Sequence, residues 1–188
     1  MFHLQARIVS YLFVSSLVGL TIGAVVSLVA NAFVNGIKYF ETLRLTLLSR
    51  FFFDYSEYII PFAWLTVGFF LVFLVKKVLG CTSWQGPADA IYCAHRPDKD
   101  MDIRQGFGTV LAAFTSLSAG ASLGQYGPIV HMGALIGGLF KKYNLSSIHL
   151  SNDIFLGCGV AAAISAGFQA PIAGVIFAHE AILRHFSV

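Results

Sequence analysis

The first apolar stretch of the sequence runs from Ile8 to Ile37 and contains no Asp, Glu, Lys or Arg. It exceeds the roughly 20 apolar residues that a helix needs to cross a bilayer core of about 30 Å. It is also longer than the apolar core of a secretory signal peptide, and no small-residue cleavage pattern ends it. The stretch therefore predicts a membrane-spanning helix that stays in the mature protein.

Composition extends this prediction to the whole chain of 188 residues, of which 57% are hydrophobic and 11% charged. A soluble domain carries about 25% charged residues. The net charge of +3 comes without a basic run, so we expect no nucleic-acid partner. Cys81, Cys93 and Cys158 form no C-x-x-C pair and indicate neither a disulfide framework nor a zinc site. We expect one transmembrane domain over residues 1–188, lipid around it, and no cofactor.

A second apolar run, Ile59 to Val75, predicts a second span, which Lys76 and Lys77 close. Because cations favour the cytoplasmic side, these lysines and Arg7 predict a cytoplasmic N-terminus, in a plasma or inner membrane. The aromatic and charged residues from Tyr39 to Glu57 predict an interfacial connector. The polar segment from Gly80 to Arg104 predicts a solvated loop.

Two later apolar runs carry helix breakers in their interiors. The run from Gly106 to Phe140 is cut at Gly124 and at Gly127-Pro128, and the run from Ile154 to Ala178 is cut at Gly167 and at Ala170-Pro171. The predicted fold class is therefore an all-α, polytopic transmembrane protein with broken or re-entrant helices.

Three dipeptides share one design: Gly86-Pro87, Gly127-Pro128 and Ala170-Pro171. Proline is favoured where a helix begins, so each predicts a helix start. A helix that starts inside a membrane leaves unpaired N–H groups and about half a positive charge, and these must face protein, water or a ligand. Several such starts at one point make an anion site without Lys or Arg. The alternative is that each proline only kinks a continuous helix.

Two segments carry a resemblance to a known family. Gly124-Gln125-Tyr126-Gly127-Pro128 resembles the G-[KR]-E-G-P signature of CLC-type chloride channels and transporters, and the segment from Gly157 to Phe177 is similar to the family's Gly/Ala-rich helix and its N-A-P-L-A-G-type sequel. The resemblance implies the first half of the CLC inverted-repeat architecture, chloride or another small anion as the transported ligand, and a homodimer. It also implies that a second half of the subunit, absent here, completes the pathway.

The resemblance also assigns candidate site residues. The implied anion pathway comprises Ser83, Trp84, Gly86, Pro87, Gly124, Gln125, Tyr126, Gly127, Pro128 and Ile129. Tyr126 takes the place of the family's gating Glu, Ala181 takes the place of the inner proton-transfer Glu of exchangers, and Trp84 takes the place of the anion-binding Ser. Hydroxyls of Thr82 and Ser83 lie close by. Because both proton-handling carboxylates are replaced, we expect a passive channel; the alternatives are a chloride/proton antiporter and a non-conducting paralogue.

Other function classes have weaker patterns. Gly120 to Gly124 satisfies G-x-S-x-G around Ser122, which would suit an intramembrane serine hydrolase, but no strand-turn-helix context is predicted there. We therefore expect no enzyme, and we expect His131 and His179 to form hydrogen bonds within the helix bundle. A cation channel would need an acidic filter, and the acids near apolar segments all lie at segment ends.

Overall fold

The computed structural model describes residues 2–50, 56–96, 98–143 and 150–183. Within these ranges the chain is helical and contains no strand, which confirms the all-α fold class. The helices are α1 (Phe2–Arg50), α2 (Ser56–Leu79), α3 (Pro87–Ala94), α4 (Ile103–Ser118), α5 (Tyr126–Tyr143), α6 (Asn152–Phe168) and α7 (Pro171–Phe177). α7 continues directly into a π-helical segment, Ala178–Leu183.

Helices α1 and α2 contain the two segments that are long and apolar enough to cross a membrane, Val9–Leu47 and Pro61–Leu79. Only 11% and 6% of the respective apolar windows are buried within the protein. Apolar side chains on such surfaces need lipid or further protein as their surroundings. Both predicted spans are therefore present as helices.

The predicted connector after the first span is wrong over its first part. Tyr39, Phe40 and Arg44 lie inside α1, which is one helix of 49 residues and about 73 Å in length. The physical reason is that no proline lies before Pro61, and aromatic and charged residues alone do not end a helix. The rest of the predicted connector, residues 51–55, lies outside the described residues.

Both apolar runs are broken as predicted, although Gly127-Pro128 lies inside α5 and Gly167 lies inside α6. α4 ends at Ser118, and Gly120 then adopts a φ of 93°, which favours glycine. α6 ends at Phe168, and Gln169 adopts the left-handed conformation with a φ of 54°. Two long apolar runs are thus each divided into two helices.

Proline stands in the first turn of each predicted helix. Pro87 and Pro171 are the first residues of α3 and α7, as predicted. Pro128 is instead the third residue of α5, which begins at Tyr126. This position costs no hydrogen bond, because N–H groups of the first turn have no intrahelical partner.

The polar segment between α2 and α4 is only partly a loop. Helix α3 occupies its middle, so the expectation of a loop from Gly80 to Arg104 is wrong there. The charged stretch after α3 is a loop as predicted, and it ends where Asp102 caps α4. The Asp102 carboxylate accepts hydrogen bonds from the N–H groups of Arg104 and Gln105 at 3.0 and 3.2 Å.

Helices α5 and α6 pack backbone to backbone. A Cβ added to Gly133 would collide with the carbonyl oxygen of Gly159, and one added to Gly137 would collide with the carbonyl oxygen of Phe155. As the residue number rises on α5 it falls on α6, so the two helices are antiparallel. Small residues four apart permit this approach, as in many membrane helix pairs. The contact fixes the start of α5 next to the end of α6.

Candidate anion-binding helix starts

The start of α5 presents free backbone donors. Tyr126 and Gly127 are its first two residues, and within the described part of the chain their N–H groups have no hydrogen-bond partner. Pro128 contributes no N–H, and the N–H of Ile129 donates to the carbonyl of Gln125 at 3.3 Å. The first turn contains no acidic residue. This helix end therefore offers two donors and uncompensated positive charge from the helix dipole.

Tyr126 stands at this opening. Its ring stacks on Phe168 at the end of α6, with ring centroids 3.9 Å apart and planes at 15°. The side chain remains 38% exposed. Gly124 is also exposed and Gln125 is half-buried, whereas the side chain of Ile129 is buried in the core. Of these residues, Tyr126 is therefore the one that presents a large, partly exposed side chain at this helix end.

The start of α3 is occupied by its own carboxylate. Asp89 Oδ2 accepts a hydrogen bond from the N–H of Gly86 at 2.7 Å, and the N–H of Asp89 donates to the carbonyl of Gly86 at 3.0 Å. An acidic side chain in the first turn offsets the positive end of the helix dipole. This role of Asp89 was not predicted, although a carboxylate three residues after the residue that precedes a helix is a sequence signal for such a cap.

The segment before α3 is engaged by α4. Gln105 Oε1 accepts hydrogen bonds from the hydroxyl and the N–H of Ser83, at 2.6 and 3.2 Å, and contacts the Thr82 hydroxyl at 3.4 Å. Trp84 is 46% exposed and lies under the Lys76 ammonium, 5.9 Å from the ring centroid. The hydroxyls nearest to the expected anion site thus have a partner, which sequence reasoning missed because it depends on tertiary contact.

His131 joins the two helices. Its Nδ1 lies 2.9 Å from the carbonyl oxygen of Gly86, and its side chain is 1% exposed. This contact confirms the expectation that His131 forms a hydrogen bond within the bundle. His131 is five residues after Tyr126, so the α3 start lies about 7 Å further along the axis of α5 than the α5 start itself.

The third predicted helix start, at Pro171, lies close to the start of α5. Phe168, which stacks on Tyr126, precedes Pro171 by three residues, and the Ser165 hydroxyl approaches the Pro171 carbonyl oxygen at 3.4 Å. Ala181 lies half-buried in the π-helical segment beyond α7. The structure thus brings the α5 and α7 starts near one another and sets the α3 start along α5.

Two cavities within the described residues have other linings. One, of about 190 Å³, lies beside Asp100 and Lys141, which form an ion pair, and the other, of about 300 Å³, lies between α1, α2 and α4. None of the ten predicted pathway residues lines either of them. The candidate site is therefore an arrangement of helix ends rather than an enclosed pocket.

Comparison with known protein families gives a match over the part of the chain that contains these helix starts. The family model described as "Voltage gated chloride channel" matches residues 67–188, well over half of the chain. The chain belongs to this family. The matched part begins within α2 and includes all three predicted helix starts, whereas α1 lies before it.

Individual relatives carry the same family name. Chloride channel protein CLC-a of Arabidopsis thaliana is 26% identical over 200 residues, 95% of this chain and 25% of its own length. CLC-d of the same plant is 33% identical over 87 residues, 40% of this chain and 11% of its own length. Chloride channel protein A of Dictyostelium discoideum is 29% identical over 97 residues, 45% of this chain and 11% of its own length. The chain thus spans a quarter or less of the length of these relatives.

The hydrolase pattern lacks catalytic geometry. Ser122 lies exposed in the loop between α4 and α5, and within the described residues its hydroxyl contacts no histidine. The nearest histidine in sequence, His131, directs Nδ1 toward Gly86. A serine nucleophile needs a base within hydrogen-bond reach.

Proposed function

We propose that the protein conducts chloride or a similar small anion passively across a membrane. The observation that carries the proposal is the α5 start, where the N–H groups of Tyr126 and Gly127 have no partner among the described residues and the first turn contains no carboxylate. Peptide dipoles can hold a weakly hydrated anion there without the tight binding of a Lys or Arg side chain. Family membership supports transport of chloride or a similar anion.

Passive conduction is proposed rather than proton-coupled exchange because of two side chains. Tyr126 occupies the position of the gating Glu, and Ala181 occupies the position of the inner proton-transfer Glu. A phenol is uncharged at pH 7, so it neither competes with chloride as a carboxylate does nor hands over protons in the neutral range. Alanine has no proton to transfer.

The proposed pathway needs more protein than these residues. Further polypeptide would supply the second half of the subunit, as one transmembrane domain with residues 1–188, and two such subunits would form a homodimer. The N-terminus is proposed to lie in the cytoplasm, in a plasma or inner membrane, because Arg7, Lys76 and Lys77 would then share the cytoplasmic side.

Chloride efflux from liposomes tests the proposal when external chloride and pH are recorded together. The protein together with the further polypeptide of the subunit should release chloride from loaded vesicles after the electrical potential is relieved, without any proton movement against the chloride gradient. Empty vesicles and vesicles containing heat-denatured protein provide the controls. Proton uptake driven by chloride efflux would instead indicate a chloride/proton antiporter, and no flux from well-folded protein would indicate a non-conducting paralogue.

A further inference from the structure

An apolar cavity of about 300 Å³ lies between α1, α2 and α4. We name it the α4 groove; its walls include Phe40, Trp64, Val67, Leu71 and Phe114. Ligand cavities in proteins begin at about this volume. The groove faces the sides of α1 and α2, whose apolar surfaces are largely exposed, so it opens toward the surroundings of the spans.

One polar atom inside the α4 groove has no partner. Ser118 is 9% exposed, and its buried Oγ forms no hydrogen bond with any described residue. Other helical hydroxyls of this chain donate to a carbonyl oxygen of the preceding turn: Thr66 to Phe62, Thr115 to Leu111, and Ser165 to Ala161. Ser118, the last residue of α4, lacks such a bond among the described residues. An unpartnered hydroxyl in an apolar cavity costs free energy unless a ligand or water engages it.

A cation stands at the edge of the same groove. Arg44 follows Phe40 by one helical turn, so the two side chains share a face of α1. One terminal nitrogen, Nη1, donates to the carbonyl oxygen of Ala119, another groove residue, at 3.2 Å. The Nε of Arg44 is buried without a partner, and within the described residues no carboxylate, including that of Glu41 one turn earlier, forms an ion pair with Arg44.

Position along the spans fits a lipid headgroup. Arg44 lies three residues before the end of the apolar segment Val9–Leu47, and Trp64 lies three residues after the start of Pro61–Leu79. Arginine and tryptophan at the ends of spans favour the interface between hydrocarbon and water. An acyl chain placed in the groove would therefore bring its headgroup to the guanidinium.

We propose that the α4 groove binds one anionic phospholipid. An acyl chain fills the apolar cavity, the phosphate pairs with the guanidinium of Arg44, and Ser118 donates its hydroxyl to an ester or phosphate oxygen. Guanidinium and phosphate match in geometry and charge, which makes this a strong pair at low dielectric. The proposal does not depend on whether the protein conducts anions.

Native mass spectrometry of the purified protein in detergent, titrated with phosphatidylglycerol or phosphatidylcholine, tests this site. We expect one phosphatidylglycerol per chain to bind with an affinity at least about tenfold above that of phosphatidylcholine, because the choline cation of phosphatidylcholine offsets its phosphate charge and would lie near the guanidinium. Arg44→Gln should abolish this preference, and Ser118→Ala should weaken the affinity for both lipids by about threefold. Lys38→Gln removes the same charge from an exposed position on α1 and should leave the preference unchanged.

Labelling with a photoreactive phosphatidylglycerol locates the bound lipid. The acyl-chain probe should label peptides that contain Trp64 or Phe114, and Arg44→Gln should reduce this labelling. Equal binding of both lipids, or equal loss with Arg44→Gln and Lys38→Gln, would overturn the proposal. It would also be overturned if the groove excluded the probe because another part of the polypeptide, or a second copy, filled it.

Discussion

Two helix starts built around the same Gly-Pro dipeptide differ in their chemistry. The α3 start is satisfied locally, because the Asp89 carboxylate accepts the Gly86 N–H. The α5 start has no acidic residue in its first turn, and the N–H groups of Tyr126 and Gly127 have no partner in the described part of the chain. A Gly-Pro signal therefore places a helix start, but the residues of the first turn decide whether that start can hold an external anion. Variants that act on one start and spare the other test this contrast.

The largest effect should come from removing the support of the α5 start. Gly133→Leu places a side chain against the Gly159 carbonyl oxygen and Ala163, and backbone cannot move aside as a side chain can. We expect a loss of about 3 kcal/mol or more of stability, and little folded protein. Size-exclusion profile and thermal unfolding in detergent measure the effect.

Gly138 provides the matched control for this packing prediction. A Cβ at Gly138 would meet only the Leu156 side chain, at an ordinary 3.8 Å. Gly138→Ala should therefore be neutral or stabilising by up to about 1 kcal/mol, because alanine favours helix. Equal destabilisation by Gly133→Ala and Gly138→Ala would contradict the backbone contact between α5 and α6.

The next largest effect on stability should come from the contact between His131 and Gly86, which connects the starts of α3 and α5. His131→Leu removes the contact from Nδ1 to the Gly86 carbonyl oxygen and should cost roughly 1–2 kcal/mol of unfolding free energy. His131→Asn keeps a donor near the position of Nδ1 and should recover part of the loss. Thermal unfolding compares the variants, and identical values for Leu and Asn would show that the hydrogen bond adds nothing.

A carboxylate introduced at the α5 start should make it resemble the α3 start. Tyr126→Glu should lower chloride flux at pH 7 by about tenfold, because the ionised side chain would compete for the open N–H groups. Flux should recover as the pH falls through the usual range of a glutamate, about 4.3. Liposome efflux at several pH values measures this, with Tyr126→Gln as the uncharged control. If the chloride flux of Tyr126→Glu did not vary with pH, Tyr126 would not line the pathway.

The smallest effect should follow from removing the negative charge of Asp89 at the start of α3. Asp89→Asn removes the charge but keeps an acceptor, and should cost about 0.5 kcal/mol of stability. If this start borders the pathway, chloride affinity should rise by about twofold, as measured by calorimetry. Asp102→Asn, which alters the cap of α4, provides the control and should leave chloride affinity unchanged.

Local signals in the sequence were sufficient for the spans and the breaks. Prolines and glycines govern backbone conformation within a turn or two, so Pro87 and Pro171 predicted helix starts correctly and the breaks before α5 and α7 were visible. The continuation of α1 through Arg44 was missed because aromatic and charged residues were interpreted as a boundary, although none of them breaks a helix.

Contacts between distant residues could not be predicted in the same way. The Arg44 guanidinium meets Ala119 across 75 positions, and the Gly86 carbonyl oxygen meets His131 across 45. Such pairs depend on how whole helices approach one another, and a single sequence contains no periodicity that reports it. The hydrogen bond from the Gly86 N–H to the Asp89 carboxylate is different, because both residues lie within one turn and the sequence alone could have predicted it.

The contact between Gly133 and Gly159 has a mechanical consequence. Because the two main chains are in direct contact, no flexible side chains lie between α5 and α6 to adjust when one helix slides along the other. We therefore expect the two helices to move as a rigid pair. If the proposed anion pathway widens beside Tyr126, the added space must then come from rotation about side-chain bonds, or from displacement of both helices as a unit. Sliding one past the other would require the glycines to separate first.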